Sequence, residues 1–470
     1  QVLRLSETLP SAMAAKRKRQ TQETQLGAKK RRAAQGASSS QNTARRTCIA
    51  GCRVVSPEEV GLTREPLDLL RATVDLEVNK LGSCSGVAHL IFRDGKCAFA
   101  HAAGMADIER GRTFGLQTIC ALHSCSKPLT VAAFLTLVDE QKVRLSDPVE
   151  KYTRFSDRIA LPTGSTRTVK TPATLRHLVA QVAGLRHGDE PAYKHVMARL
   201  KDHEITDLKG FCDALADVPL QSEPGALHYY SLCIDVLGRV CEVVSGQSLD
   251  KFMTERLFEP LGMKDTYFNV PRSKQGRKAV IYDCKRAKHP GARTPFQAQR
   301  WESDQMHSKV FSGGGGMLSY SDAGIYSTAE DYARFCLMLL SGGVAANGCR
   351  VLRRSTVSMI WRDGLAPFAQ ADGRVKGWND FGGKDFRFYW DHHAWSMLNA
   401  TLDIDQGAPR ATGPARRGST LWMYGMGAYW FIDSARKIVA VSMAQCFSDR
   451  QEDRGSDCVP FLRLPLLGAK

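Results

Sequence analysis

The sequence lacks any apolar run of the ~18 residues that a membrane-spanning helix requires. Its longest apolar stretches, such as residues 131–138, suit the interior of a globular domain. The 14 Cys are scattered singly along 470 residues and never form a CxxC pair. A secreted disulfide scaffold is shorter and richer in Cys. We therefore expect no membrane contact and mostly buried free thiols in a reducing compartment, although Cys48 and Cys52 leave the start of a zinc site open.

Acidic residues are scarce at the start of the chain. Residues 1–50 carry eleven Lys and Arg against two acids, which is +9 of the net charge of +17. Residues 1–52 also have little apolar surface to bury, so we expect a disordered basic tail. The rest of the chain is only mildly basic, so we expect no nucleic-acid contact apart from weak, salt-sensitive binding by this tail.

Two basic clusters in the tail bear on location. Residues 16–19 and 29–32 have the spacing of a bipartite nuclear-import signal. A generic solvated basic tail explains them equally well, so nuclear and cytoplasmic locations both stay open. The shortage of acids leaves a mitochondrial transit peptide open as well. The chain begins with Gln, and Met13, which precedes two Ala, is a candidate initiator.

Strand patterns lie near both ends of the remaining chain. Residues 87–92 and 97–100 flank Asp94-Gly95, a pair that is typical of a tight hairpin turn. Residues 428–432 and 438–444 form a second pair of strands around a short polar turn. The two pairs predict a sheet that is built from both ends of the chain.

Helical periodicity dominates the middle of the chain. Helices are predicted at 65–81, at 128–142, around 234–244, and from Ser327, where Glu330 completes a capping box. Together with the strands they predict an α+β domain over residues 53–465. Its antiparallel sheet would use about 53–125 and 305–465, and a mostly helical subdomain of about 126–304 would be inserted between them. The weakly periodic segments 264–312 and 362–417 are long enough to roof a site.

A serine and a lysine three residues apart carry the main chemical signal. Residues at this spacing share a helix face, so the Ser124 hydroxyl would lie within reach of the Lys127 amine. This Ser-x-x-Lys motif is typical of β-lactamases and penicillin-binding proteins. Ser124 could also be only a helix N-cap. Two further copies of the spacing, at 248–251 and 434–437, are interpreted as a helix N-cap and a hairpin turn.

A tyrosine precedes the helix around 234–244. Tyr230 could shuttle a proton if a nearby ammonium lowered its pKa. A tyrosine at such a junction is more often a half-buried packing residue.

Three other patterns are weaker. Residues 82–86 imitate a nucleophile elbow around a Cys, but an elbow needs a following helix, and here a strand follows. Asp391, His392 and His393 are too close in sequence to converge on a metal, so we expect no metal. The glycine run 313–316 has no following Lys and predicts a flexible or close-packed turn.

The order of these motifs resembles the family of serine β-lactamases, D-alanyl-D-alanine peptidases and related esterases, above all its class C and esterase branches. The resemblance extends from about Val55 to Phe447. The segments that carry it are, in order, 124–130 (SCSKPLT), 145–152 (LSDPVEKY), 177–185 (HLVAQVAGL), 223–238 (EPGALHYYSLCIDVLG), 245–246 (SG), 260–266 (PLGMKDT) and 324–332 (GIYSTAEDY).

The resemblance implies a β-lactamase/transpeptidase-like fold and an acyl-enzyme mechanism without a cofactor. Ser124 would attack a carbonyl, and Lys127 and Tyr230 would manage the protons, either of them as the base. Two backbone N–H groups, one from Ser124 and one from a strand edge, would form the oxyanion hole.

Departures from the family pattern bear on the substrate. Leu232 stands where β-lactamases carry Asn, and Gln181 stands where a His is usual. A Lys-Thr-Gly motif is absent, and our best placement of the substrate-binding strand is Tyr424-Gly425, with Trp422 second. The missing cation favours a neutral substrate over a carboxylate-bearing one such as penicillin.

The sequence therefore predicts a serine hydrolase that forms an acyl-enzyme with a small-molecule ester or amide. An acyltransferase would look the same, because only the acceptor of the acyl group differs. A non-catalytic binding module on this fold is the alternative from another class. The oligomeric state stays open.

Overall fold

The computed structural model describes residues 46–188, 190–286, 296–301, 314–315, 324–369, 393–398, 400–403, 419–424 and 427–448. The basic clusters of the tail, residues 391–392 and Gly425 lie outside the described residues. So do Gly313 and Gly316 of the glycine run.

The described strands are numbered in chain order. They are β1 (Cys48–Ile49), β2 (Cys52–Arg53), β3 (Gly86–Arg93), β4 (Lys96–Asp107), β5 (Arg112–Thr113), β6 (Cys120–Ala121), β7 (Arg158–Ala160), β8 (Thr166–Thr168), β9 (Tyr282–Arg286), β10 (Phe296–Arg300), β11 (Tyr326–Ser327), β12 (His393–Ser396), β13 (Ala400–Asp403), β14 (Thr420–Tyr424), β15 (Ala428–Asp433), β16 (Ile438–Ala444) and β17 (Cys446–Ser448).

An eight-stranded antiparallel sheet joins the two ends of the chain. Its strand order is β12-β13-β14-β15-β16-β3-β4-β5. The predicted hairpin forms β3 and β4, and both Asp94 (φ 51°) and Gly95 (φ 70°) have the left-handed backbone of a tight hairpin turn. C-terminal β16 pairs along β3, with Val441 opposite Leu90. The prediction of one antiparallel sheet from both chain ends is confirmed.

Helices fill the middle of the chain. The described α-helices are α1 (Arg64–Asp75), α2 (Ser126–Asp139), α3 (Leu175–Val179), α4 (Lys194–Lys201), α5 (Leu208–Ala216), α6 (Cys233–Ser245), α7 (Leu249–Met253), α8 (Glu259–Leu261), α9 (Ala329–Leu340) and α10 (Arg354–Ile360). Two π-helical segments are Leu76–Leu81 and Thr254–Phe258. The 3-10 turns are Pro57–Val60, His123–Cys125, Val149–Lys151, Pro191–Tyr193, Arg272–Arg277 and Ala366–Phe368.

Helix α2 is buried in the hydrophobic core. Every side chain from Ser126 to Leu137 is buried, which fits its nearly continuous apolar sequence. It packs on α6 on one side, while α9 packs on β16 and β3. The turn that leads into α2 therefore lies at the junction between the sheet and the helical layer.

The predicted helices are confirmed, but one cap is wrong. Ser327 does not begin a helix, because it pairs with Cys120 as part of β11. The N-cap is Thr328, whose Oγ1 accepts a hydrogen bond from the Asp331 N–H at 3.1 Å. The carboxylate of Glu330 does not form the predicted capping box with Ser327. It forms an ion pair with Arg46.

A smaller sheet connects distant parts of the chain. Strands β9 and β10 lie within residues 264–312 and pair with each other in antiparallel fashion. C-terminal β17 adds to β9 in parallel. This sheet places the segment after β16 against the segment around Tyr282. In the described part of the chain, no helix combines the length and apolar character that crossing a membrane would need.

Candidate active site

Ser124 lies in the 3-10 turn His123–Cys125, between β6 and α2. It keeps 8% of its surface exposed, whereas Ser126 and Lys127 are fully buried. The preceding residue, His123, has φ 46°, a left-handed backbone that a non-glycine residue adopts at a cost. The turn thus holds one serine at the edge of the core in a constrained backbone.

Hydrogen bonds from α9 and from Ile325, the residue before β11, fix this turn. The Tyr332 hydroxyl donates to the Cys125 carbonyl at 3.0 Å. The Ile325 N–H donates to Ser126 Oγ at 2.9 Å, and the Leu122 N–H donates to the Ile325 carbonyl at 2.8 Å. Ser126 is therefore committed to a structural contact, and Ser124 is the serine of the motif that keeps some exposure.

Lys127 is a fully buried lysine in the first turn of α2. Its Nζ donates to the Gly315 carbonyl at 2.5 Å and lies 4.3 Å from the centre of the Tyr230 ring. Burial lowers the pKa of Lys127 from 10.5 to about 7, against the opposing effect of the Asp235 carboxylate. Near neutral pH a large share of the molecules therefore holds a neutral amine that can accept a proton.

Asp235 is the charged partner of this lysine. It is fully buried on α6, and its Oδ1 accepts a hydrogen bond from the Gly315 N–H at 3.1 Å. Burial raises the pKa of Asp235 to about 6, while Lys127 works in the opposite direction. Lys127 and Asp235 thus bind the carbonyl and the N–H of the same glycine. Sequence reasoning had not assigned a role to Asp235.

Two glycines of the 313–316 run pack against the site. A Cβ at Gly315 would overlap the Asp235 carboxylate, and a Cβ at Gly314 would overlap the Thr130 hydroxyl. Gly314 also has φ 79°, where glycine is favoured. For these two residues the predicted close-packed turn is confirmed. The contact of Gly315 with Lys127 was not predicted, because it joins residues that are far apart in sequence.

Tyr230 lies between the lysine and a tryptophan. Its ring is buried, with Lys127 Nζ over one face and the edge of Trp395 against it at a centroid distance of 6.4 Å and an angle of 82°. Gln181 fixes the following residue, because its Oε1 accepts hydrogen bonds from both the N–H and the hydroxyl of Ser231 at 2.8 Å. The glutamine that replaces the family histidine therefore supports the Tyr230 turn.

Trp395 comes from the segment 362–417, which was predicted to roof a site. It is fully buried on β12 and also contacts the His228 ring, 5.1 Å away between centroids. Burial lowers the pKa of His228 to about 3, so this imidazole is neutral at ordinary pH. Leu232 is fully buried as well, so its position presents an apolar side chain to the core. Nothing local in the sequence marks Trp395.

The predicted substrate-binding strand lies beside the turn that contains Ser124. Strand β14 contacts His123–Cys125, and in it Trp422 pairs with Trp430 and Tyr424 pairs with Ala428. Gly425 follows this strand outside the described residues. The roles of Tyr424, Gly425 and Trp422 stay predictions.

The other copies of the motif have the structural positions that were predicted. Ser248 is the N-cap of α7, and Ser434 lies in the turn between β15 and β16. Residues 82–86 lead into β3, so they form no nucleophile elbow. Among the described His, Cys, Asp and Glu residues, no group of three has the arrangement to hold a metal ion.

Comparisons with known proteins identify relatives of this chain. The β-lactamase family model matches residues 74–457. An uncharacterised protein of Mycobacterium tuberculosis is 28% identical over 389 residues, covering 80% of this chain and 90% of the relative. Esterase EstB of Burkholderia gladioli is 28% identical over 358 residues, covering 74% of this chain and 83% of the esterase.

A solved structure shares the fold. EstCE1, described as a hydrolase with promiscuous acyltransferase activity, superposes with a TM-score of 0.64 at 22% identity, covering 86% of this chain and 99% of its own. The family match spans far more than half of the sequence and includes the Ser-x-x-Lys turn, the Tyr230 segment and all eight strands of the large sheet. The chain belongs to the β-lactamase family and is a serine hydrolase.

Proposed function

We propose that this enzyme hydrolyses uncharged carboxylic esters through an acyl-enzyme on Ser124. The observation that carries the proposal is the fully buried Lys127, three residues after Ser124, which keeps 8% of its surface exposed. Its pKa of about 7 makes it a proton acceptor near neutral pH. A lysine with the ordinary pKa of 10.5 would be almost entirely protonated there.

The first half of the reaction forms the acyl-enzyme. Ser124 Oγ attacks the ester carbonyl, and its proton passes to the neutral amine of Lys127. The tetrahedral intermediate then collapses, the bond to the alcohol oxygen breaks, and the alcohol leaves with a proton delivered through the Tyr230 hydroxyl. The position of Tyr230 against Lys127 Nζ, 4.3 Å from the ring centre, supports this relay.

The second half releases the acid. Water attacks the acyl carbonyl and loses its proton to the same pair, and Ser124 Oγ leaves as the hydroxyl. We assign the oxyanion hole to the Ser124 N–H and to an N–H at the end of β14, in the segment of Trp422, Tyr424 and Gly425. The contact between β14 and the turn that contains Ser124 supports this assignment.

We infer the substrate class from the apolar side chains packed behind the candidate site. Leu232 replaces the amide that β-lactamases offer to a substrate side chain, and Trp395 packs edge-on to Tyr230. Apolar surroundings of this kind favour an apolar acyl or alcohol group over a charged one. The esterase name of the Burkholderia relative supports the same class.

A substrate panel tests the proposal. Short and medium p-nitrophenyl esters are compared with a chromogenic cephalosporin, an anilide and a peptide that ends in D-Ala-D-Ala. We expect hydrolysis of the esters that Ser124→Ala abolishes and that Ser434→Ala, at a second copy of the motif, leaves intact. Faster turnover of the cephalosporin or the peptide than of every ester would overturn the assigned substrate class.

The same assay separates hydrolysis from acyl transfer. A primary alcohol is added, and the ratio of new ester to free acid is measured by chromatography. We expect free acid as the main product in water. A new ester as the main product at low alcohol concentration would reassign the enzyme as an acyltransferase.

The basic tail supports a separate proposal on location. We propose that residues 16–32 act as a bipartite nuclear-import signal. A fluorescent fusion of the full chain should concentrate in nuclei and lose this distribution when the four residues 29–32 are changed to Ala. A cytoplasmic or mitochondrial distribution of the unaltered fusion would contradict the proposal.

A further inference from the structure

Three thiols converge outside the candidate active site. Cys84 lies just before β3, Cys284 lies on β9 and Cys446 opens β17. The sulfur of Cys446 is 3.1 Å from the sulfur of Cys84. Cys284 and Cys446 are buried, whereas Cys84 is partly exposed. None of the three takes part in the proposed hydrolysis.

The strand register brings these cysteines together. Strand β17 pairs in parallel with β9, so that Cys446 lies opposite Tyr282 and Ser448 opposite Cys284. On the other side, Val87 of β3 pairs with Ala444 of β16, just before Cys446. The thiol of Cys84 is held near the Gly86 carbonyl at 3.3 Å. The convergence therefore follows from the sheet arrangement and not from one side-chain rotamer.

The pKa values of the three thiols are shifted in different directions. The sulfur of Cys446 lies within hydrogen-bond distance of the Cys84 sulfur, and its contacts with Cys284 and Cys84 lower the pKa of the Cys446 thiol. The same contacts, with burial, raise the pKa of the Cys84 and Cys284 thiols. Cys446 is thus the thiol whose deprotonated form the surroundings stabilise, and a thiolate is the form that reacts with oxidants.

We propose that Cys446 and Cys84 form a redox-responsive pair that closes a reversible disulfide under a peroxide-class oxidant. The Cys446 thiolate attacks one peroxide oxygen, the O–O bond breaks, and hydroxide leaves and takes up a proton as water. Cys84 then attacks the sulfur of the sulfenic acid, and the sulfenic oxygen leaves as a second water with the Cys84 proton. The two thiols lose two electrons, and one peroxide is reduced to two waters.

Cys84 is the resolving thiol for two reasons. Its sulfur already lies 3.1 Å from that of Cys446, and its partial exposure gives the oxidant a route to the pair. The disulfide would join residues that are 362 positions apart in the chain. Because such a link constrains the unfolded chain, the oxidised protein should have a higher Tm than the reduced protein.

Tryptic digestion can identify which cysteines form the disulfide. Cys84, Cys284 and Cys446 fall on the separate peptides 81–93, 279–285 and 438–450, each with a single cysteine. The reduced full-length protein is treated with an equimolar amount of hydrogen peroxide, blocked with iodoacetamide and digested without reduction. We expect peptide 81–93 linked to peptide 438–450, lighter than their sum by two hydrogens, and its loss after treatment with dithiothreitol.

Variants and a trapping reagent complete the test. Cys84→Ser and Cys446→Ser should both abolish the linked peptide, whereas Cys349→Ser, at an exposed cysteine elsewhere, should leave it unchanged. In Cys84→Ser the sulfenic acid persists, so dimedone should label peptide 438–450. If Cys446→Ser does not fold, the Cys84→Ser variant, at a partly exposed position, still tests the proposal.

Three results would overturn the proposal. The first is the absence of any linked peptide from folded, oxidised protein. The second is a dominant link that involves peptide 279–285. The third is oxidation confined to the exposed Cys48 or Cys349.

Discussion

The substitution Lys127→Arg tests the proton chemistry of the site most sharply. Arg keeps the positive charge and much of the length but stays protonated even when buried. With a pKa of about 7, Lys127 is neutral in about half of the molecules at pH 7. At the ordinary value of 10.5 the neutral share would be about three in ten thousand.

The expected loss follows from the removal of the proton acceptor, because an arginine here has no neutral form to take its place. The substitution should lower kcat/KM for ester hydrolysis by about a thousandfold, within the range typical of a general base. Lys251→Arg, at the exposed lysine of another Ser-x-x-Lys copy, is the matched control and should change little.

A pH profile gives the second readout. The base is competent when deprotonated, so activity of the wild type should rise with pH and reach half of its plateau near pH 7. Rates are measured from about pH 5 to about pH 9 with one ester at saturating and at low concentration. A Lys127→Arg enzyme that keeps a tenth of the activity, or a flat wild-type profile, would refute the assignment of Lys127 as the base.

Further predictions concern the residues around this lysine. Asp235→Asn removes the anion that raises the pKa of Lys127, so the rising limb of the pH profile should move to lower pH. An unchanged limb would contradict an electrostatic effect of Asp235 on Lys127. Gly315→Ala should lower kcat at least tenfold, because its Cβ would overlap Asp235, while Gly276→Ala, in open space, should be neutral in the same assay. Gln181→Ala removes the acceptor of the buried Ser231 N–H and should lower the free energy of unfolding by about 1–3 kcal/mol in a urea titration. No loss of stability would show that the hydrogen bonds after Tyr230 contribute little.

Much of the fold could be predicted, because its signals are local. The pair Asp94-Gly95 between two apolar runs predicts a hairpin from backbone preference alone. The apolar stretch after Ser124 predicts a buried helix, and Gly246, with φ 70°, ends α6 where its sequence position indicates. The helix cap at Ser327 failed because a strand pairing with β6 outweighs a local capping preference.

The environment of the site could be predicted only in part. Ser124, Lys127 and Tyr230 follow from motif order, and the structure brings Lys127 and Tyr230 together. Gly315, Asp235 and Trp395 meet them only through tertiary packing, which no periodicity or spacing in the sequence reveals.

The most direct test of the account is covalent labelling of Ser124. Intact-mass spectrometry after incubation with a fluorophosphonate probe should show one adduct on the wild type, mapped to the peptide that contains Ser124. The adduct should be absent from Ser124→Ala and present on Ser248→Ala, which alters another copy of the motif. Folded wild-type protein without an adduct, or an adduct that persists in Ser124→Ala, would show that Ser124 is not the nucleophile.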